Sequence, residues 1–120
     1  MPTVLIIDDT ISQLELINCY LQESGYMAIK AVDPKDGFAK AMIYQPDVII
    51  TDVVMPGMSG FELCRKLKRE PKTQKSHIII CSSKNGEIDR IWGMRQGASA
   101  YLTKPFTKQD LLRTLRLLGF

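Results

Sequence analysis

Short apolar runs alternate along this chain with stretches in which apolar residues return every three or four positions. The runs occupy residues 4–7, 27–31, 48–51, 78–81 and 100–102. Each is too short for a helix and nearly continuous in Val, Ile, Leu or Ala, as expected of strands buried on both faces. Runs of this kind separated by helical patterns predict a parallel sheet covered by helices on both sides.

The helical patterns can be placed from their periodicity and their ends. Ile11, Leu14, Ile17 and Leu21 form one inward stripe, and Gly25 follows as a terminator. The second helix opens at "DPKDG", where Asp33 can cap and Pro34 takes a first-turn position that needs no N–H donor, and it runs through Phe38 and Met42 to Gln45. Ser59 with Glu62 has capping-box spacing, and Cys64 and Leu67 continue inward until Pro71. Gly86 and Gly93 weaken the pattern over residues 86–96, the expected fourth helix. Thr107 with Asp110 opens the last, with Leu111, Leu112, Leu115 and Leu118 on its inner side. The 120 residues form one domain, with no repeat and no linker.

Composition narrows the class. A hydrophobic content of 45% supports a packed core, yet no apolar run approaches the roughly twenty residues that span a bilayer, and the first residues lack a signal peptide's basic start and cleavage site. A soluble cytoplasmic protein without membrane insertion is the expectation. Cys19, Cys64 and Cys81 are an odd, scattered set that reads as small buried hydrophobes. The net charge of +3 peaks in "RKLKRE", a solvated helix face rather than a nucleic-acid groove. His77, the single histidine, has no partner in sequence and reads as a surface residue at the end of the sheet away from the acids. The six methionines read as core filler and loop contacts.

The candidate chemistry gathers at one edge. In a doubly wound sheet ligands bind outside the carboxyl ends of the strands, and the unusual polar residues all follow strands: Asp8 and Asp9 the first, Asp52 the third, Ser82 and Ser83 the fourth, Lys104 the fifth. Asp52 beside Val48, Ile49 and Ile50 is costly to desolvate unless it is compensated. Three converging carboxylates raise one another's proton affinity, so a hard divalent cation with oxygen ligands fits, and Mg2+ suits a site that keeps several waters. With that cation bound, Asp52 stays ionised and can act as a nucleophile toward phosphorus, while Lys104 and Ser82 supply an ammonium and a hydroxyl for the phosphoryl oxygens. Taken singly, Asp8 and Asp9 could also cap the first helix, and Ser82, Ser83 and Lys104 could be ordinary turn residues.

Four motifs in order, "LIIDDT", "VIITDVVMPGMSG", "HIIICSS" and "GASAYLTKPF", resemble the response-regulator receiver domain over the whole chain. The chemotaxis member of that family is a flavodoxin-like doubly wound fold, so the resemblance implies five parallel strands in the order 2-1-3-4-5 flanked by five helices. It also implies that Asp52 is phosphorylated by a histidine kinase or phosphotransfer protein. Asp9, Asp52 and the backbone carbonyl of Val54 would bind Mg2+, with Asp8 acting through water. Lys104 would pair with the phosphoryl group, and the Lys104–Pro105 peptide would be cis. Ser82 and Tyr101 stand at the switch positions: Ser82 would move toward the phosphate and Tyr101 turn inward behind it. Arg90, Trp92, Arg95 and Lys108 are candidates for the partner-reading surface, although Trp92 equally fits partly buried packing. At the two positions that tune phosphoryl lifetime in related receivers stand Val54 and Lys84, an apolar residue and a cation, which predicts slow self-dephosphorylation.

The leading expectation is a single-domain switch of a two-component system, not an enzyme in the ordinary sense, that acts by binding a downstream target protein. "WGMRQGA" and the lack of an output module resemble regulators of type IV pilus motility or phototaxis. The alternatives are the receiver part of a DNA-binding regulator, a small Mg2+-dependent phosphatase with Asp8 as nucleophile, and a receiver-like scaffold that takes no phosphate.

Overall fold

The computed structural model describes residues 1–120. Strands and helices alternate without exception: β1 (Thr3–Ile7), α1 (Ile11–Glu23), β2 (Met27–Ala31), α2 (Pro34–Tyr44), β3 (Val48–Asp52), α3 (Gly60–Arg69), β4 (His77–Ser82), α4 (Glu87–Arg95), β5 (Ala100–Thr103) and α5 (Lys108–Leu117). All neighbouring strands are parallel, in the order β2-β1-β3-β4-β5, as the resemblance implied. No helix is long and apolar enough to cross a membrane.

Strand side chains alternate between the two faces of a sheet, and here each face has its own core. Val4, Ile6, Val48, Ile50, Ile79 and Cys81 pack against Leu14, Ile17 and Leu21 of α1 and Leu111 and Leu115 of α5. Leu5, Ile7, Ile49, Ile78 and Ile80 pack on the other face, beneath Ala41 of α2 and Leu63, Cys64 and Leu67 of α3. The near-continuous apolar runs follow from this: both parities of a central strand are buried. β2 lies at the edge, and there Met27 and Lys30 are exposed.

Helix starts are fixed by local chemistry. The Asp33 side chain accepts the Asp36 amide at 2.7 Å ahead of Pro34, and Ser59 accepts the Glu62 amide at 3.2 Å. Only Thr107 and Asp110 complete a reciprocal capping box, at 3.0 Å in each direction. Caps of this kind contribute about 1 kcal/mol each. Thr10, not Asp8 or Asp9, is the N-cap of α1, and it makes no side-chain capping bond.

Several expectations fail where a tertiary neighbour decides the outcome. Ile11 is exposed, because the first turn of α1 stands at the sheet's carboxyl edge with no strand residue beneath it. Cys19 is exposed too; at two positions past Ile17 it lies roughly 200° around the helix from the buried stripe. Of the methionines only Met55 is buried, while Met1, Met27 and Met94 face solvent. His77 begins β4 rather than preceding it, and it is half-buried, with Nδ1 3.0 Å from the Ser99 hydroxyl and its ring edge-on to Phe120.

Candidate functional site

Asp8, Asp52 and Lys104 continue the parity of Ile6, Ile50 and Leu102, so the fold delivers all three to one corner at the carboxyl ends of β1, β3 and β5. Lys104 Nζ lies 2.9 Å from Asp8 Oδ2 and 3.4 Å from Asp52 Oδ2. Asp8 is almost wholly enclosed, its side chain 2% exposed, and its other oxygen accepts the Thr10 amide at 2.9 Å. Asp52 is more open, at 16%, and the Val53 amide donates to its Oδ1 at 2.7 Å, which fixes the carboxylate plane. Asp8 is sealed in and held at both oxygens, whereas Asp52 has the more open side chain and the longer contact to Lys104, so of the two it is the carboxylate a reagent can reach. The phosphatase reading, which needs Asp8 as nucleophile, loses its support here.

Asp9 completes the cluster from the exposed side, and one carboxylate oxygen from each of Asp8, Asp9 and Asp52 can be chosen so that all lie within 4.8 Å of one another. Desolvation pushes the Asp52 carboxyl above its usual range, with Lys104 and the Val53 amide opposing. Burial works against the charge on Lys104, but the hydrogen bond it donates to Asp8 and the field of Asp52 outweigh it and hold the ammonium above its usual value. One ammonium against three carboxylates leaves the corner negatively charged. An all-oxygen donor set with surplus negative charge fits a hard divalent cation such as Mg2+. The Val54 carbonyl accepts no hydrogen bond from the protein and is available to the same cation, while the Val54 side chain is 63% exposed.

Ser82 and Tyr101 lie on the opposite side of the sheet. Ser82 is buried and its hydroxyl accepts the Lys84 amide at 3.1 Å; the Lys84 carbonyl in turn accepts the Tyr101 hydroxyl at 2.5 Å. The Tyr101 ring is inward in this structure, 7% exposed. Gly93, the one buried position of α4, lets the helix close over the ring: a Cβ there would stand 3.1 Å from Tyr101 Cδ2, so the ring would have to give by a few tenths of an ångström. Burial pushes the Tyr101 phenol up. The Lys104–Pro105 peptide is cis.

Arg90 lies over the Tyr101 ring at 5.5 Å, Trp92 is 49% exposed and Arg95 is exposed, whereas Lys108 is turned toward Glu23 at 3.6 Å. Of these, Arg90, Trp92 and Arg95 share α4, and Lys108 stands apart on α5. Gly60 is the first residue of α3. Its role is space: a Cβ would fall 2.0 Å from the Asp52 carbonyl, and the Gly60 amide donates to Val53 at 2.9 Å, so the start of α3 is pressed against the strand end carrying Asp52. Only Gly57, with φ of 88°, needs glycine for its dihedrals in that loop.

The family described as "Response regulator receiver domain" matches residues 4–116. The chain is 39% identical to Protein PilH of Pseudomonas aeruginosa over 115 residues, covering 96% of this chain and 95% of that protein. It is 36% identical to the DNA-binding dual master transcriptional regulator RpaA of Synechocystis, covering 98% of this chain but only 49% of RpaA. Among solved structures, the chemotaxis protein CheY4 of Vibrio cholerae superposes with a TM-score of 0.93 at 34% identity, over 98% of both chains. With this fold, and with the acids and lysine at one strand edge, the chain belongs to the response-regulator receiver domains, the signalling switches of two-component systems.

Proposed function

We propose that Asp52 accepts a phosphoryl group from a histidine kinase or phosphotransfer protein, and that the phosphorylated chain signals by binding a target protein. The observation that carries this is the single ammonium of Lys104 shared between a sealed Asp8 and an open Asp52. A carboxylate oxygen of Asp52 attacks phosphorus, the P–N bond to the donor imidazole breaks, and the ring nitrogen leaves with the electron pair and takes up a proton. The product is an acyl phosphate on Asp52. Lys104, released from one of its two carboxylates, pairs with the phosphoryl oxygens, and the Ser82 hydroxyl is a second donor. Asp9, Asp52 and the Val54 carbonyl would hold Mg2+, with Asp8 behind a water; when bound, the cation offsets the negative charge that carboxylates and phosphoryl oxygens bring together.

Output would run through the α4 face bearing Arg90, Trp92 and Arg95, with Lys108 at its margin, toward a protein rather than nucleic acid. Similarity to PilH and to a chemotaxis protein supports a motility system as the setting. The match to about half of RpaA favours one second reading, the receiver part of a longer DNA-binding regulator, which a reading frame continuing past Phe120 would reveal. The decisive experiment is incubation with acetyl phosphate and Mg2+ followed by intact-mass measurement. A gain of one phosphoryl group, absent from Asp52→Asn, is expected; an unchanged mass overturns the proposal.

A further inference from the structure

Away from the acidic corner, a groove of about 540 Å³ runs between the start of α2 and the loop leaving β3. Its floor is apolar, formed by Pro34, Phe38, Pro56 and Met58. Two ammoniums rim it from opposite walls, Lys35 on α2 and Lys66 on α3, and neither has a carboxylate within ion-pair distance. Lys66 instead lies 4.2 Å over the Phe38 ring, a contact it can surrender to an anion without leaving an ion unpaired. One carboxylate, Asp33, also lines the groove, but its Oδ1 is committed to the Asp36 amide at the helix cap.

The surroundings have the same sign. A second depression shares Met58 and Lys66 with this groove and continues along α3 past Arg65 and Arg69, with Glu62 and Glu70 as the opposing charges. Arg65 is held by the Gln96 side chain and Arg69 is in no ion pair. Helix α3 thus presents Lys66 and Arg69, neither in an ion pair, next to a hollow with an aromatic ring in it. A solvated helix face accounts for the charges alone. It does not account for the half-buried Phe38 and Met58 and the exposed Pro56 lining a hollow beside them.

From this juxtaposition we infer that the α2–α3 groove docks an acidic segment of a partner protein, seating one aromatic or aliphatic side chain on Phe38 and Met58 while flanking carboxylates meet Lys35 and Lys66. Charge complementarity selects the partner chemistry, and the apolar floor selects a peptide over a polyanion that offers phosphates only. Pro56 and Met58 belong to the loop that follows Asp52, so the docked segment shares a wall with the acidic corner.

The test uses the full chain without phosphodonor, so its failure is separate from any failure of phosphorylation at Asp52. A blocked peptide, Glu-Asp-Glu-Phe-Glu-Asp-Glu, is titrated into 15N-labelled protein. Amide shifts are expected to concentrate at Lys35, Phe38, Gly57, Met58 and Lys66. Replacing the peptide's Phe with Ala, or combining Lys35→Glu with Lys66→Glu in the protein, should each weaken binding about tenfold, whereas Arg116→Glu on α5 should leave it unchanged. Both lysines are exposed, so the charge-reversal variant should keep its fold, which thermal melting checks. The inference is overturned if the shifts map elsewhere, if charge reversal has no effect, if the Ala peptide binds as tightly, or if single-stranded oligothymidylate occupies the same lysines more tightly than the peptide.

Discussion

The Tyr101 hydroxyl is bonded to the carbonyl of Lys84, and the amide of that same Lys84 is bonded to the Ser82 hydroxyl. One peptide segment therefore joins the buried hydroxyl that ends β4 to an aromatic ring beneath α4. If Ser82 swings toward a phosphoryl oxygen on Asp52, it gives up the Lys84 amide or drags the loop with it; either way the Tyr101 anchor is disturbed. In this structure the ring is inward, with its hydroxyl held by that segment. Adding charge at Asp52 would then offer this segment a second hydrogen-bonding arrangement, with Ser82 on phosphate instead of on the Lys84 amide, which is what a population shift requires.

Tyr101→Phe should keep the ring in place and cost about 1 kcal/mol, the worth of one hydrogen bond. Amide exchange over residues 83–86 should accelerate while β5 stays protected. Tyr101→Ala removes the ring as well and should cost about 3 kcal/mol in chemical denaturation. In that variant, acetyl phosphate should still modify Asp52 yet no longer shift the α4 amide resonances. Persistence of those shifts would remove Tyr101 from the coupling route.

Gly60→Ala tests how tightly α3 is clamped to the reactive strand. A Cβ 2.0 Å from the Asp52 carbonyl forces backbone, not a flexible side chain, to move. Destabilisation of about 3 kcal/mol or more and slower phosphorylation by acetyl phosphate are expected together. Gly57→Ala, with open space around it but φ of 88°, should cost only about 1 kcal/mol and leave the phosphorylation rate nearly unchanged. Equal losses in the two variants would show that the close approach at Gly60 does not position Asp52.

What could be read from sequence was local or periodic. The strands announce themselves because both faces are covered, and Asp33, Ser59 and Thr107 cap the helices their spacing predicts. The acids and Lys104 were legible because each follows an apolar run in a fold whose strand ends converge. Tyr101 and Gly93 were not: the ring's place depends on a glycine on another element that no spacing links to it. Cys19 and Ile11 failed for the same reason in reverse, since nothing in a helical repeat says where the partner layer stops.

Asp52 should make stability depend on pH in metal-free buffer. Its carboxyl titrates above the unfolded value because burial disfavours the ion. The neutral form's contribution is therefore fully present below the ordinary aspartate range and is lost as pH rises through the raised folded value. Asp52→Asn should be more stable than the parent at pH 7 in the presence of chelator, and the difference should vanish toward pH 3. Mg2+ should close the gap from the other side, stabilising the parent by about 1.4 kcal/mol for each tenfold excess over its Kd while affecting Asp52→Asn much less. Thermal melts across pH, with and without Mg2+, check both halves; a parent more stable than Asp52→Asn at neutral pH in chelator would contradict the desolvation account.

The lifetime of the phosphoryl group should be long. Hydrolysis needs a water aligned behind phosphorus, and the side chain nearest the exposed approach, Val54, has no atom with which to hold one. Lys84 stands on the other flank with its backbone tied to Ser82 and Tyr101, so its exposed ammonium is free to lie over phosphoryl oxygens and shield them. Val54→Asn or Val54→Gln gives a water a hydrogen-bonding partner and should speed loss of phosphate about tenfold, whereas Lys84→Ala removes only the shield and should have a smaller effect. Intact-mass time courses after removal of acetyl phosphate measure both. Loss from the parent within seconds at neutral pH would show that neither residue protects the acyl phosphate.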